Sequence, residues 1–262
     1  VNRVALIALA LIVLAAALGP LLSPFDGVSQ DRSEILAAPD RSHWLGTDSF
    51  GRDQLTRLAL ATRLSLLAGS LATALALGLG ASLGALAGFH GGWPDTLVVR
   101  LSELFLSLPW FYLVIGIRAL LPLTLSPALA VLMIGAAAGL TAWPRPCLLV
   151  RGAVAGERQR DYVTAARGFG ASNRHLLRWH ILPAAYSVIL VQAALLVPRF
   201  VLAEASLSFL GLGVGEPAAS LGNMLAELRD LHLLSSCPWM LAPAGVLILL
   251  SACCQSLAGR DD

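Results

Sequence analysis

Six stretches of the chain run for about twenty residues with few charges or none, near residues 4–22, 64–89, 97–121, 125–144, 184–205 and 237–257. At ~1.5 Å of rise per residue, each is long enough, or nearly so, for a helix to cross a hydrocarbon core of ~30 Å. Backbone groups inside lipid must be satisfied within the protein, which for runs of this length means helices. The expected fold is all-α, a polytopic membrane protein with six transmembrane helices. Composition agrees: only 13% of residues are charged, against ~25% in soluble domains, too few to cover a water-soluble fold. The first run has no basic lead beyond Arg3 and no A-x-A site, and "GPLLSP" follows it. It is expected to be a retained span rather than a cleaved signal.

Arginine placement orients the spans, because basic loops stay in the cytoplasm. The 145–183 connection carries seven arginines (145, 151, 158, 160, 167, 174 and 178) against Glu157 and Asp161, so it is expected to be cytoplasmic. Six spans then place both termini in the cytoplasm. The 206–236 connection, with Glu216, Glu227 and Asp230 against one arginine, reads as an outside loop. The 23–63 segment is expected outside by parity, although it carries five arginines beside its six acids.

All 18 basic residues are arginine, and the chain has no G-x-x-x-x-G-K-[ST]. A phosphate-cradling loop needs that lysine, so any ATP-driven step belongs to another chain. The four cysteines (147, 237, 253 and 254) show no C-x-x-C and no ligand spacing with the histidines. They read as small buried side chains, and no metal site is expected. Nor does the net charge of +2 point to nucleic acid.

Within the spans, Gly80, Gly84 and Gly88 fall on one helix face, where a neighbouring backbone can approach closely. Arg100 and Glu103 are three apart and placed to pair, and Pro109 should kink the third span, with Ser107 at hand for freed backbone groups. Arg199 and Glu204 sit near the outer end of the fifth span, ~140° apart around the helix, and should not pair. Gly211, Gly213 and Gly215 then break regular helix, so a re-entrant or surface-lying segment is expected.

The stretch "DYVTAARGFGASNRHLLRWHILP", residues 161–183, is basic and hinged by glycine. A helix is expected over 157–167, stopped by Gly168 and Gly170. Ser172 or Asn173 should cap a second short helix, and Pro183 suits the first turn of the fifth span. The pattern resembles the EAA loop of ABC importer permeases: E-A-A, three residues, G, nine residues, I-x-L-P. Ala165, Ala166, Gly170, Leu182 and Pro183 match, Thr164 stands at the Glu position and His180 at the Ile position. "HWLGTDSFGRDQLTRLALATRLSL" (43–66) and "AEASLSFLGLGVGEPAASLGNML" (203–225) are similar to segments of the C-type permease subunit of the dipeptide, oligopeptide and nickel branch.

The resemblance implies a non-catalytic permease subunit of an ATP-driven importer in the bacterial inner membrane. Its partners would be a second homologous permease, two cytoplasmic ATPase subunits that bind ATP and Mg, and an extracytoplasmic substrate-binding protein. The cargo would be a peptide or related small solute. The chain would divide into a first transmembrane helix (1–22), an extracytoplasmic segment (23–63) and a five-helix permease core (64–262) with its coupling loop at 157–183. Thr164, Ala165, Ala166, Arg167, Gly170, Ala171, His180, Leu182 and Pro183 would couple to the ATPase. Gly46, Thr47, Asp48, Gly51, Arg52 and Asp53 would form an outer cap or docking surface. Arg100, Glu103, Arg199 and Glu204 are the candidate intramembrane polar residues. A stand-alone secondary transporter is the alternative, but it would need coupling carboxylates at mid-membrane.

Overall fold

The structure, a computed structural model, describes residues 3–122 and 126–259. Residue 125 of the expected fourth span and the last three residues of the tail lie outside the described residues. The helices are α1 (Arg3–Leu22), α2 (Gln54–His90), α3 (Gly92–Ser107), α4 (Trp110–Ala119), α5 (Pro127–Ala142), α6 (Pro144–Arg158), α7 (Asp161–Gly168), α8 (Asn173–Leu176), α9 (Leu182–Phe209), α10 (Leu221–Glu227), α11 (Leu231–Ser236) and α12 (Ala242–Ala258). A π-turn, Leu177–Ile181, joins α8 to α9, and a 3-10 turn, Pro238–Leu241, leads into α12. Among the described residues, four helices are long and apolar enough to cross a membrane, and up to six spans result if each of two bent pairs counts as one.

α2 is the spine. It begins ten residues before the expected span, because Asp53 caps it through Thr56 N at 2.8 Å and 54–63 contains no helix breaker. Its 37 residues reach roughly 55 Å, well past the hydrocarbon core. Gly80, Gly84 and Gly88 do share a face, and α6 lies on it. A Cβ on Gly84 would stand 2.3 Å from Cys147 O, and one on Gly88 2.5 Å from Arg151 O. Only hydrogen leaves room for the α6 backbone.

Both bent spans break at proline. Leu108 is extended (φ −85°, ψ 136°), as a residue before proline must be, so α3 and α4 meet at 78° instead of forming one kinked helix. Ser107 Oγ donates to Leu104 O at 2.7 Å, satisfying one freed carbonyl. α5 and α6 meet at 44° at Trp143, ahead of Pro144 and Pro146. The first part of the basic 145–183 connection is therefore helix packed in the bundle, not loop.

Three apolar clusters stack along α2 and α9. One, including Ala61, Val201 and Leu250, joins α1, α2, α9, α10 and α12. The middle one contains Ala72, Ala76, Val114, Ile134 and Phe200. The third, with Phe89, Val154, Val163, Leu176 and Ile181, seats the elbow. α1 lies on the outside, with Leu6, Ile7, Leu11 and Leu14 exposed and only Ala5 and Ala16 buried. The segment after α9, expected to be re-entrant or surface-lying, runs as turns and bends over 210–217; α10 follows it, closed by a Ser220–Asn223 capping box, and buries Leu221 and Met224. All four cysteines are buried free thiols.

Candidate functional site

Two polar structures stand at opposite ends of the bundle. At the α2 C-terminal end, α7 and α8 form the elbow. The helix expected over 157–167 is split: α6 ends at Arg158, Arg160 is extended, and α7 starts at Asp161. An acid in the first turn favours that start through the helix dipole. Gly170 (φ +85°) reverses the chain, with Ala171 N donating to Ala166 O at 3.1 Å and Gly170 N to Arg167 O at 3.0 Å. Ser172, rather than Asn173, caps α8. The second short helix is not separate: α8, the π-turn and α9 run on without a break, so Leu182 and Pro183 lie in one continuous rod with the elbow.

Val163, Leu176 and Ile181 are fully buried and fasten the elbow to α2, α6 and α9. Thr164, Ala165 and Arg167 are exposed, Ala166 and Ala171 are partly buried, and His180 lies between Tyr162 and His175. Tyr162 Oη donates to Glu157 Oε2 at 2.5 Å, which ties the end of α6 to α7 and holds the phenol above its ordinary pKa. Sequence reasoning missed the elbow's exposed rings. Phe169 is 92% exposed and Trp179 64%. The signal was present for Phe169, an aromatic set between Gly168 and Gly170 in the turn.

At the other end, residues 23–53 fold into a cap over the start of α2. Gly46 and Gly51 both have positive φ, and a Cβ on Gly51 would lie 1.9 Å from Asp31 O. Thr47 Oγ1 donates to Glu34 O and accepts from Ala37 N, and Trp239 Nε1 reaches Thr47 O at 3.2 Å. Asp53 holds His43 Nδ1 at 2.9 Å. Asp48 is wholly buried and pairs with Arg52 Nε at 2.6 Å and Arg57 Nε at 3.2 Å. Glu216 bridges the same two guanidinium groups at 2.7 and 3.2 Å, and Glu227 accepts from Ser49 Oγ at 2.5 Å.

Burial opposes the Arg52 charge, but hydrogen bonds to Glu216 and Asp48 outweigh it and raise the group above its usual range. Burial pushes Glu227 up, against the hydrogen bond from Ser49. Arg57, Glu216 and Glu227 were not among the sequence candidates. Their signal was complementary charge: five arginines in 23–63 facing an excess of acids over arginine in 206–236.

The intramembrane candidates do not come together as one site. Arg100 and Glu103 form an exposed pair at 3.0 Å. Glu204 is buried and accepts from Ser65 Oγ at 2.5 Å and Ser208 Oγ at 2.7 Å. Arg199 lies apart from it, its guanidinium 4.6 Å above the Trp110 ring. Since α9 runs to Phe209, Arg199 stands ten residues from its end, inside the bundle rather than near the outer end. Arg118, absent from the candidates, is buried and donates to the Leu121 and Pro122 carbonyls at the end of α4. Among the described residues no group of His, Cys, Asp and Glu could hold a metal ion.

A multi-pass helical bundle with a projecting elbow defines an all-α integral membrane protein. Residues 80–260 match the family described as binding-protein-dependent transport system inner membrane component, and the chain belongs to that family. It is 38% identical to the oligopeptide transport system permease protein OppC of Escherichia coli (strain K12), over 96% of this chain and 83% of that protein. It is 36% identical to the dipeptide transport system permease protein DppC of Alkalihalophilus pseudofirmus, over 95% of this chain and 80% of that protein. The match to DppC of Bacillus subtilis, also 36% identical, spans 63% of that relative's length. Like its relatives, the chain is a non-catalytic permease component.

Proposed function

We propose that the chain is one of two permeases in an ATP-driven importer of dipeptides, oligopeptides or a related small solute. The second permease completes the pathway, two cytoplasmic ATPase subunits bind ATP and Mg, and an extracytoplasmic binding protein delivers cargo. In this reading the elbow faces the cytoplasm with both termini, and 23–63 lies outside. The arginines that conflict with that orientation include Arg52 and Arg57, whose charge is matched by Asp48, Glu216 and Glu227. The cap and residues 206–236 form the surface offered to the binding protein.

The elbow carries the proposal. Its outer side presents Thr164, Ala165, Arg167 and Phe169, while its second arm is continuous with α9. A push on α7 thus reaches the bundle through a helix rather than through a slack loop. Phe169 is the anchor a soluble partner would bury, worth ~1.5–3 kcal/mol, or roughly ten- to a hundredfold in affinity.

Phe169 touches little of its own chain, so Phe169→Ala and Phe169→Asp leave the permease folded. Co-purification of the ATPase subunits with tagged permease from detergent-solubilised membranes is the test. Wild type should retain them and both variants should lose most of them. Equal retention in all three removes the elbow as the docking element. A well-folded wild type that brings down no ATPase moves the stand-alone transporter to the front.

A further inference from the structure

The two broken spans meet at a place that none of the polar structures above uses. Trp110, the first residue after the α3–α4 break, donates from Nε1 to Thr141 Oγ1 at 3.1 Å, just before the α5–α6 break. Phe105 packs its ring edge on Trp143 at that second break, with centroids 5.6 Å apart. Arg199 of α9 lies over the Trp110 ring. Arg145, the second residue of α6, stands four residues after Thr141, one helical turn on across a bend of 44°, and so on the side of that span that carries Thr141 toward Trp110.

The depth is that of the membrane middle. Phe200, next to Arg199, packs with Ala72 and Ala76, and Ala76 is the midpoint of the uncharged 64–89 run of α2. Arg199 is also ten residues short of the end of α9, about 15 Å of rise, half of a ~30 Å core. Among the described residues neither arginine is ion-paired with an acid; Glu204, five residues on, is held by Ser65 and Ser208. Yet Arg145 is exposed and Arg199 only half-buried. A charge at this depth that faced acyl chains would be strongly disfavoured, so such residues line water-filled paths or meet a partner. Breaks in spanning helices are tolerated in the same surroundings.

We propose that Arg199 and Arg145 form a carboxylate-binding station at mid-membrane, set between the two helix breaks on the translocation path. Two guanidinium forks match the two oxygens of a carboxylate, and the Trp110 face beneath Arg199 holds that fork in place. A peptide's C-terminal carboxylate is the ligand class that fits, being the anionic end of the solute the proposed importer carries. The inference rests on the importer reading and goes further, by placing solute recognition in the permease itself.

The assembled importer, reconstituted in liposomes with its binding protein, supplies the test, with trialanine and trialanine amide as probes. The preference for acid over amide, compared between wild type and variant, cancels any preference of the binding protein. Arg199→Gln and Arg145→Gln should each reduce it on the order of tenfold, the effect of losing one charged hydrogen-bonding partner. Arg199→Lys, which keeps the charge but not the fork, should keep only part of it. If Arg199→Gln fails to assemble, the exposed Arg145→Gln carries the comparison.

A second readout does not depend on uptake. The thiol introduced by Arg199→Cys should react with an anionic water-borne thiol reagent, beyond the wild-type background, and trialanine but not its amide should slow the reaction. An unchanged acid preference in both Gln variants overturns the station. So does a thiol that no aqueous reagent reaches in any nucleotide state, since the charge would then be matched by the second permease. Wild-type uptake of neither probe refutes the peptide-importer reading, and the station falls with it.

Discussion

Replacing Gly84 with alanine separates backbone contact from ordinary helix propensity. The added Cβ would sit 2.3 Å from Cys147 O and 3.0 Å from Arg151 N, both backbone atoms of α6. Neither can rotate away, so α6 must retreat by about 1 Å to restore van der Waals distance. A gap of that size forfeits a quarter to a half of the dispersion energy at each contact it opens. α2 against α6 is the most extensive helix pair in the fold, so many contacts open together. Overpacking of this kind costs ~1–3 kcal/mol.

Gly78 is the internal control: it lies on the same helix, and a Cβ there meets nothing within 4 Å. Gly78→Ala should be neutral or stabilising by about 0.5–1 kcal/mol, the propensity difference alone. Thermal unfolding of purified permease in detergent, followed by loss of the monodisperse chromatographic peak, distinguishes the two. Gly84→Ala should lower the midpoint by about 2–12 °C, and Gly78→Ala should not lower it. Equal midpoints for the two variants would mean that the α2 glycine face is not what brings α6 close.

Two further outcomes are expected at the cap. Arg57→Leu leaves Asp48 buried with half its compensation; breaking such a pair costs ~3–5 kcal/mol, so limited proteolysis should cut residues 23–53 far sooner than in wild type. Glu227, whose pKa burial raises above the ordinary 4.5 of a glutamate, binds its proton more tightly folded than unfolded. The contribution of Glu227 to cap stability is therefore greatest below pH ~4.5, falls as pH rises from there to the raised folded value, and levels off above it. Glu227→Gln should remove that slope from hydrogen exchange of the cap amides measured across the window; a slope identical to wild type would refute the assignment.

Much of this was legible along the chain because its causes are local. The apolar runs have the length of a membrane crossing, which made an all-helical, multi-pass fold readable; four helices among the described residues meet that length and hydropathy singly, and up to six spans result if each bent pair is one. Proline restricts the residue before it, so the break at Leu108–Pro109 was readable as a distortion, though not its 78° angle. The four-residue glycine spacing fixed a face, and the turn at Gly170 came from its freedom to adopt positive φ.

What the sequence left open depended on partners far along the chain. Hydropathy ends the second span at residue 64 because it sees only apolar content, whereas α2 starts at Gln54 because Asp53 caps it and the cap folds around Arg57. The partners of Arg52 and Arg57 could not be read along the chain either, because Glu216 and Glu227, more than 150 residues away, meet them only in space. The basic connection after Trp143 was counted as loop, but α6 fits the glycine groove of α2 and becomes part of the bundle. Arg199 was assigned to a span end by its place in one apolar run. Its place over the Trp110 ring, beside two helix breaks, was decided by how α4, α5 and α9 pack, since charge and burial at such a residue depend on neighbours that only the tertiary fold supplies.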